Sequence, residues 1–421
     1  MTYADIILPL PLEGYFTYCV PDTLAPRLQP GCRVRVPLGK TKTYTGLVAA
    51  LHDQVPAGLK TGKEGVKSIV EMMNPGPVLL PQQLRLWQWI ADYYLSPIGD
   101  VYKAALPSGL KAEDDYRPKT ETYVVLADDF RSAQALRAAQ AMLQRAPAQQ
   151  KVLRAYLELA SVSEENPVPQ REITREELMN EAHCTTTVLR QFLDRRILRQ
   201  YEKEVGRIPL GGMPHPEHIK PLSEAQADAY NQILVQQMSK DITLLHGVTS
   251  SGKTEIYIHL IQRALDEGRQ VLYLLPEIAL TVQMMQRLRR VFGDRLGIYH
   301  SRYSDAERVE IWKRQLSDHP YDVILGARSA LFLPFQRLGL VIVDEEHEQS
   351  FKQMDPAPRY HARSAAIILA KFCGAKVLLG TATPSSESYW NAQTGKYGYV
   401  RLDKRYQDMA LPAVEVVDVK D

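Results

Sequence analysis

Cysteine is scarce and scattered. Cys19, Cys32, Cys184 and Cys373 stand alone, with no C-x-x-C pair. This spacing gives no disulfide framework and no zinc site, and a reducing cytoplasm is the expected setting. Long apolar runs are missing too, and the start from Met1 to Leu12 has no basic region and carries Asp5, with Glu13 just after it. Neither a signal peptide nor a membrane partner is expected. An excess of one charge is also lacking: a net charge of +2 neither demands nor excludes nucleic acid, so any basic surface must be local. What remains is an ordinary globular composition, 45% hydrophobic and 24% charged, in a chain of 421 residues that is too long for one core. About two to four domains are expected.

The chemistry concentrates in His246-Gly247-Val248-Thr249-Ser250-Ser251-Gly252-Lys253-Thr254, which fits the phosphate-cradling pattern G-x-x-x-x-G-K-[ST]. Ile242 to Leu245 before it reads as a buried parallel strand. Tyr257, Leu260, Ile261, Ala264 and Leu265 after it recur at helical spacing, and Gly268 stops the helix. Gly247 and Gly252 permit the torsions and close approach by which successive N–H groups face phosphate oxygens. Lys253 supplies a point charge to the β- and γ-phosphates of ATP, and the Thr254 hydroxyl a ligand for Mg2+. A glycine-rich turn with a solvated lysine is the bland alternative.

Leu340 to Val343 forms a second apolar strand, followed by Asp344-Glu345-Glu346-His347. Ligands of open α/β sheets bind past the carboxyl ends of strands. Asp344 is the second candidate for Mg2+, and Glu345 for polarising the attacking water. Acids after a strand also cap helices. A phosphate loop upstream favours the catalytic reading, though Glu346 and His347 can be structural.

Residues 1 to about 75 read as short strands at Ala4 to Leu8, Tyr15 to Val20, Cys32 to Val36, Tyr44 to Leu51 and Val66 to Met72, a small barrel or sandwich. Arg33, Arg35, Lys40 and Lys42 place positive charge near one turn. Tyr15, Phe16, Tyr18 and Tyr44 either stack on bases or fill the core. A helix from Pro81, with Leu84, Trp87, Ile90, Ala91 and Tyr94 in phase, stops by Pro97 and Gly99.

Residues 113 to 205 read as a separate domain, with helices around Leu153 to Leu157, at Ile173 to Ala182 capped by Thr174, and at Thr185 to Arg196. The last two have helix-turn-helix spacing, and Tyr201 to Ile208 fits a β-wing. Arg190, Arg195, Arg196 and Arg199 are available to phosphates, although winged helices also serve as plain protein contacts. Gly206 to Pro221 reads as a linker, and Leu222-Ser223-Glu224-Ala225-Gln226 as a capped helix start.

These segments together with Leu274-Leu275-Pro276-Glu277-Ile278-Ala279-Leu280-Thr281, Gly326 to Phe332 and Gly380-Thr381-Ala382-Thr383-Pro384-Ser385 resemble motifs I, Ia, Ib, II and III of superfamily 2 helicases. Their wording, with Ala91-Asp92-Tyr93-Tyr94 and Pro97-Ile98-Gly99-Asp100, most resembles the PriA family of primosomal replication-restart helicases. The resemblance implies a multidomain fold: a small N-terminal β-barrel at 1–112 that binds a 3' DNA end, a winged-helix domain at 113–205, a linker at 206–221, and one RecA-like P-loop helicase lobe at 222–421. It implies ATP-driven 3' to 5' unwinding at stalled forks. DNA, other primosome proteins, single-strand-binding protein and a replicative helicase are the implied partners.

Carried over residue by residue, Gln226 contacts adenine, Thr381 and Thr383 couple nucleotide to DNA, and Phe351, Arg359 and Tyr360 belong to an aromatic-rich DNA-sensing loop spanning 348–363. Phe16, Thr17, Lys67 and Arg328 contact DNA. Two departures stand out. The family's Phe-Asp-Tyr triplet is here Phe16-Thr17-Tyr18, so an anion is replaced by a neutral hydroxyl. Pro356 and Pro358 stand where a tryptophan is often found, leaving Phe351 and Tyr360 to stack. The family's second lobe with its arginine finger, and its zinc-binding cysteines, have no counterpart here, so a truncated helicase with little hydrolysis of its own is expected. Loss of such a finger costs about 10³ to 10⁵ in rate. A non-hydrolysing fork-binding module and an RNA helicase lobe are the alternatives.

Overall fold

In the computed structural model, which describes residues 2–54, 65–111, 119–204, 206, 208 and 212–404, alternation sets up the N-terminal sheet. In Arg33–Leu38, Val34 and Val36 are fully buried, and the strand pairs antiparallel with Lys42–His52. The sheet order is Phe16–Val20, Thr2–Ile7, Lys42–His52, Arg33–Leu38, Glu71–Met72. Residues 67–73 close it. Cys19 N–H donates to the Lys67 carbonyl (2.8 Å) and Ile69 N–H to that of Cys19 (3.0 Å); Val70 and Met73 donate to Arg35 (2.9 Å) and Arg33 (3.0 Å). One stretch thus bonds to both outer strands, which makes the expected small barrel. Only Glu71–Met72 of the expected Val66 to Met72 strand is regular, because its two halves serve different neighbours.

The expected basic rim is smaller than the sequence suggests. Arg33 is buried, with Nη1 donating to Asn74 Oδ1 (2.9 Å), and Arg35 pairs with Glu71 (3.1 Å). Lys40 and Lys42 remain exposed.

Pro81–Tyr93 is a helix begun by proline at its first turn, and it buries Leu86, Trp87 and Ile90. It ends at Tyr93, ahead of Pro97, and Ile98–Ala105 begins a second helix. These helices and the residues flanking them are bonded into the C-terminal lobe. Gln83 Nε2 donates to Phe332 O (2.5 Å), Trp312 Nε1 to Val78 O (2.8 Å), and Ser108 N–H to Asp305 Oδ1 (2.8 Å). Contacts accordingly divide the chain into one unit of residues 1–116 with 210–421, and another of 117–209.

Among the described residues the C-terminal lobe holds a seven-stranded, wholly parallel sheet. Its order is Leu296–Tyr299, Val323–Gly326, Gln270–Leu274, Leu338–Asp344, Lys376–Thr381, Ile242–Gly247, Gly398–Leu402. Strands such as Gln270–Leu274 are buried on both faces, and this is why they read as continuous apolar runs. The expected strand in Val414 to Val419 lies outside the described residues.

In the second unit, Ile173–Thr174, Thr120–Leu126 and Leu198–Glu204 form an antiparallel sheet beside helices Ala133–Met142, Pro147–Leu159, Arg175–Glu181 and Thr186–Leu193. The Thr174 hydroxyl accepts from Glu177 N–H (3.1 Å) and the Glu177 carboxylate from Thr174 N–H (2.9 Å), so the helix starts at Arg175. Arg190, Arg195, Arg196 and Arg199 are all exposed. The wing strand starts at Leu198, earlier than expected, because it pairs along the whole of Thr120–Leu126. Among the described residues no helix is long and apolar enough to cross a membrane.

Candidate nucleotide-binding site

Three neighbouring strands deliver the candidate residues. Ile242–Gly247, Lys376–Thr381 and Leu338–Asp344 lie side by side, with Asp344 opposite Gly380 and Thr381 opposite His246. The phosphate loop, the acids and the Thr381 motif therefore emerge at one end of the sheet.

The loop between strand and helix needs its glycine. Gly252 has φ +78°, and a Cβ there would overlap Gln226 Nε2. Lys253 opens the helix Lys253–Asp266 and donates from Nζ to the Gly247 carbonyl (3.0 Å). Thr249 to Thr254, Asp344, Glu345, Arg287 and Arg290 face a cavity of about 680 Å³. Gln226 is absent from that lining. Its Oε1 accepts from Ser223 N–H (2.9 Å) and its Nε2 donates to the Ser251 (3.2 Å) and Gly252 (3.3 Å) carbonyls. In this structure the Gln226 amide closes the helix cap and braces the loop between strand and helix.

Asp344 is nearly buried. Its Oδ1 accepts from the Tyr257 hydroxyl (2.9 Å) and from Glu345 N–H (3.1 Å), its Oδ2 from the Tyr273 hydroxyl (3.3 Å). Burial, and then the Glu345 charge, push its carboxyl up to about 6. Glu345 sits in the left-handed region at φ +49°, which turns it into the cavity beside Asp344. Among the described residues no three His, Cys, Asp or Glu side chains are grouped to hold a metal. One carboxylate and one hydroxyl beside phosphate oxygens and waters is nevertheless the donor set that Mg2+ accepts, and Asp344 and Thr254 fit it.

Glu346 is structural. It is wholly buried and accepts from Arg363 Nη1 (2.5 Å), Ser385 N–H (2.7 Å) and the Ser388 hydroxyl (2.8 Å). His347 links the acids to the next motif: Nδ1 lies 2.7 Å from the Thr381 hydroxyl and Nε2 3.3 Å from that of Thr383. Sequence reasoning left His347 without a role; its place directly after the acids was the available signal. The Glu255–Arg287 ion pair on the cavity wall was missed too, since the two residues share no motif.

The loop spanning 348–363 is folded with its two rings inside. Phe351 and Tyr360 are each 1% exposed, and Tyr360 packs edge-on against Phe332 at 5.2 Å. Neither ring can stack on a base in this conformation. Gln353 holds the loop folded, its N–H donating to Tyr360 O (2.9 Å) and its Nε2 to Pro356 O (2.8 Å) and Pro358 O (3.0 Å). Arg359 and Met354 remain exposed, and Arg328 Nη1 donates to the Lys352 carbonyl (3.1 Å).

His361 ends this loop. Its N–H donates to the Tyr94 hydroxyl (3.1 Å), and its Nδ1 is buried with no hydrogen-bond partner among the described residues. Burial, then the Arg363 and Lys352 charges, push it down to about 4. The unfolded chain therefore takes up this proton first as pH falls, so the stability His361 contributes is whole above about 6.5 and declines towards 4. Between pH 7.5 and 5.5, wild type should lose more melting temperature than His361→Gln. Equal losses would show a solvated ring.

In the barrel, Tyr18 is buried, with its hydroxyl on Pro37 O (3.1 Å), which removes it from the candidate stackers. Phe16 packs partly against the barrel core. Thr17 donates to Asp5 Oδ1 (2.7 Å), its partner across the strand pair, and Lys67 lies on the neighbouring segment with its ammonium on the Gly39 carbonyl.

Comparison with known proteins follows the same divisions. Residues 5–107 match the 3'DNA-binding domain (3'BD) of PriA, 121–205 the winged helix domain of the PriA helicase of Bacteroidota, and 223–390 the DEAD/DEAH box helicase domain. Replication restart protein PriA of Haemophilus influenzae is 33% identical over 425 residues, covering 100% of this chain and 54% of that protein. That of Bacillus subtilis is 31% identical over 475 residues, covering 100% and 58%. That of Rickettsia felis is 46% identical over 198 residues, covering 47% and 30%. The chain thus spans little more than half the length of the first two relatives. With the 3'DNA-binding and winged helix domains of PriA ahead of a DEAD/DEAH box helicase domain, and similarity to PriA proteins running through its whole length, the chain belongs to the PriA family of replication restart proteins.

Proposed function

We propose that this chain is the fork-binding and ATP-binding part of an ATP-dependent 3' to 5' DNA helicase that restarts replication at stalled forks. The observation that carries the reading is the convergence of Lys253, Thr254, Asp344 and Glu345 on one cavity at the ends of adjacent strands. Lys253 exchanges the Gly247 carbonyl for the β- and γ-phosphates, while N–H groups of the loop and the start of Lys253–Asp266 bind the remaining oxygens. Thr254 and Asp344 hold Mg2+, which when bound neutralises charge on the phosphates. Glu345 orients the water that attacks the γ-phosphate and takes up its proton. His347, between Thr381 and Thr383, passes the state of the site to the DNA-facing loops.

On this reading the barrel takes the 3' end of the leading strand through Phe16, Thr17 and Lys67, and Arg190, Arg195, Arg196 and Arg199 contact duplex phosphates. Arg328 and Arg359 meet the translocating strand once the loop spanning 348–363 opens. Other primosome proteins, single-strand-binding protein and the replicative helicase are its partners, in the cytoplasm. Lys253→Ala tests the centre of the proposal. Losing a charge-assisted contact costs about 1.5 to 3 kcal/mol, so calorimetry should read an ATP affinity weaker by roughly tenfold to a hundredfold. Equal affinities would remove the site.

A further inference from the structure

Resting on that reading of the nucleotide site, we propose that Tyr257 and Tyr273 are positioning residues for the Asp344 carboxylate, and that Gly380 is the space that lets Tyr257 reach it. Both phenol rings are fully buried, and they brace each other edge-on at 5.6 Å. They approach from separate elements. Tyr257 lies one turn beyond Lys253 on the helix Lys253–Asp266, so the element that presents the phosphate-binding cation also presents a donor to Asp344. Tyr273 comes from Gln270–Leu274, the strand beside Leu338–Asp344, and the third wall is Gly380, opposite Asp344 on the other neighbouring strand.

Gly380 requires no positive φ; its need for glycine is one of room. A Cβ there would overlap the Tyr257 hydroxyl and stand 2.9 Å from Cζ. The side chain's absence at position 380 and the hydroxyl at 257 are complementary parts of one arrangement.

The choice of donor matters. A nearly buried carboxylate must be hydrogen-bonded, and a lysine or arginine would do it by neutralising the charge. Two phenols and the Glu345 N–H instead fix the rotation of Asp344 without adding positive charge, so its anion stays available to a divalent cation. Partners of this kind orient metal ligands elsewhere, and their loss lowers metal affinity by about 10- to 100-fold.

The test is binding of the fluorescent nucleotide mant-ADP to the 421-residue chain, in EDTA and across a Mg2+ titration, with melting temperature followed in parallel. Tyr257→Phe keeps the ring and should bind mant-ADP normally in EDTA, while its half-saturating Mg2+ rises by about 10- to 100-fold. Tyr273→Phe, with the longer bond, should shift less. Gly380→Ala should shift like Tyr257→Phe, and adding it to Tyr257→Phe should shift little further. Unchanged Mg2+ dependence in Tyr257→Phe and Tyr273→Phe, with or without lower melting temperature, overturns the inference and reduces the phenols to packing. A wild type that binds mant-ADP without any response to Mg2+ sinks the metal assignment itself, and this inference with it.

Discussion

Glu346→Ala should cost the helicase lobe about 3 to 5 kcal/mol, read as a lower urea midpoint, while Glu345→Gln next to it should leave the midpoint unchanged. The two acids adjoin in sequence but not in environment. Glu345 faces the cavity; Glu346 is wholly buried and takes hydrogen bonds from Arg363, Ser385 and Ser388. Removing its carboxylate takes the anion from the Arg363 guanidinium, whose side chain is only 13% exposed and which keeps the neutral Glu346 carbonyl and Ser385 hydroxyl, and takes the acceptor from a backbone N–H and two serine hydroxyls. A loss of that size is a large part of the 5 to 15 kcal/mol typical of folded domains. A change below about 1 kcal/mol would mean that water reaches Arg363.

Gly99→Ala should be nearly as damaging to the N-terminal unit. A Cβ at position 99 would overlap the carbonyl oxygens of Leu8 and Leu10 and come within 2.8 Å of Leu10 N, all backbone atoms that no side-chain rotation can move aside. The helix Ile98–Ala105 would have to withdraw, unseating Val101 and Tyr102, both fully buried, and the Tyr102 hydroxyl from Thr45 O (3.1 Å). Overpacking of this kind costs about 1 to 3 kcal/mol where side chains can adjust, and more where they cannot. Fluorescence of the buried Trp87, 6.1 Å from Tyr102, reports the withdrawal. An unchanged spectrum with unchanged melting would show that the helix tolerates the methyl group.

What the sequence made legible was whatever chemistry or burial forces into a fixed pattern. The strands before Gly247 to Thr254 and before the acids at 344–346 are readable because their neighbours cover both faces, and Gly252 because the turn there takes a positive φ. Long-range partnership was not legible. Arg33 looks like a rim charge until Asn74 is found beside it, and Tyr18, Phe351 and Tyr360 look like stacking rings until their surroundings fold over them. The Gln226 amide spans the Ser223 cap and the Ser251 carbonyl, a bridge of 25 residues that no local pattern announces. Thr120–Leu126 and Ala133–Met142 went unread, since a strand starting Thr-Glu-Thr and a helix of mostly small residues carry little periodic contrast.

Closure of the barrel by residues 67–73 also decides how this domain can be approached. A sheet with an open side invites another chain to lie alongside it and continue the ladder, the route by which many peptides are captured and many proteins aggregate. Here Phe16–Val20 is bonded on its outer flank at Cys19, and Arg33–Leu38 at residues 33–35, so that part of each flank is already taken. Where the flank is closed, an approaching molecule meets side chains and turns, and these can be changed singly with the strand pairing left intact.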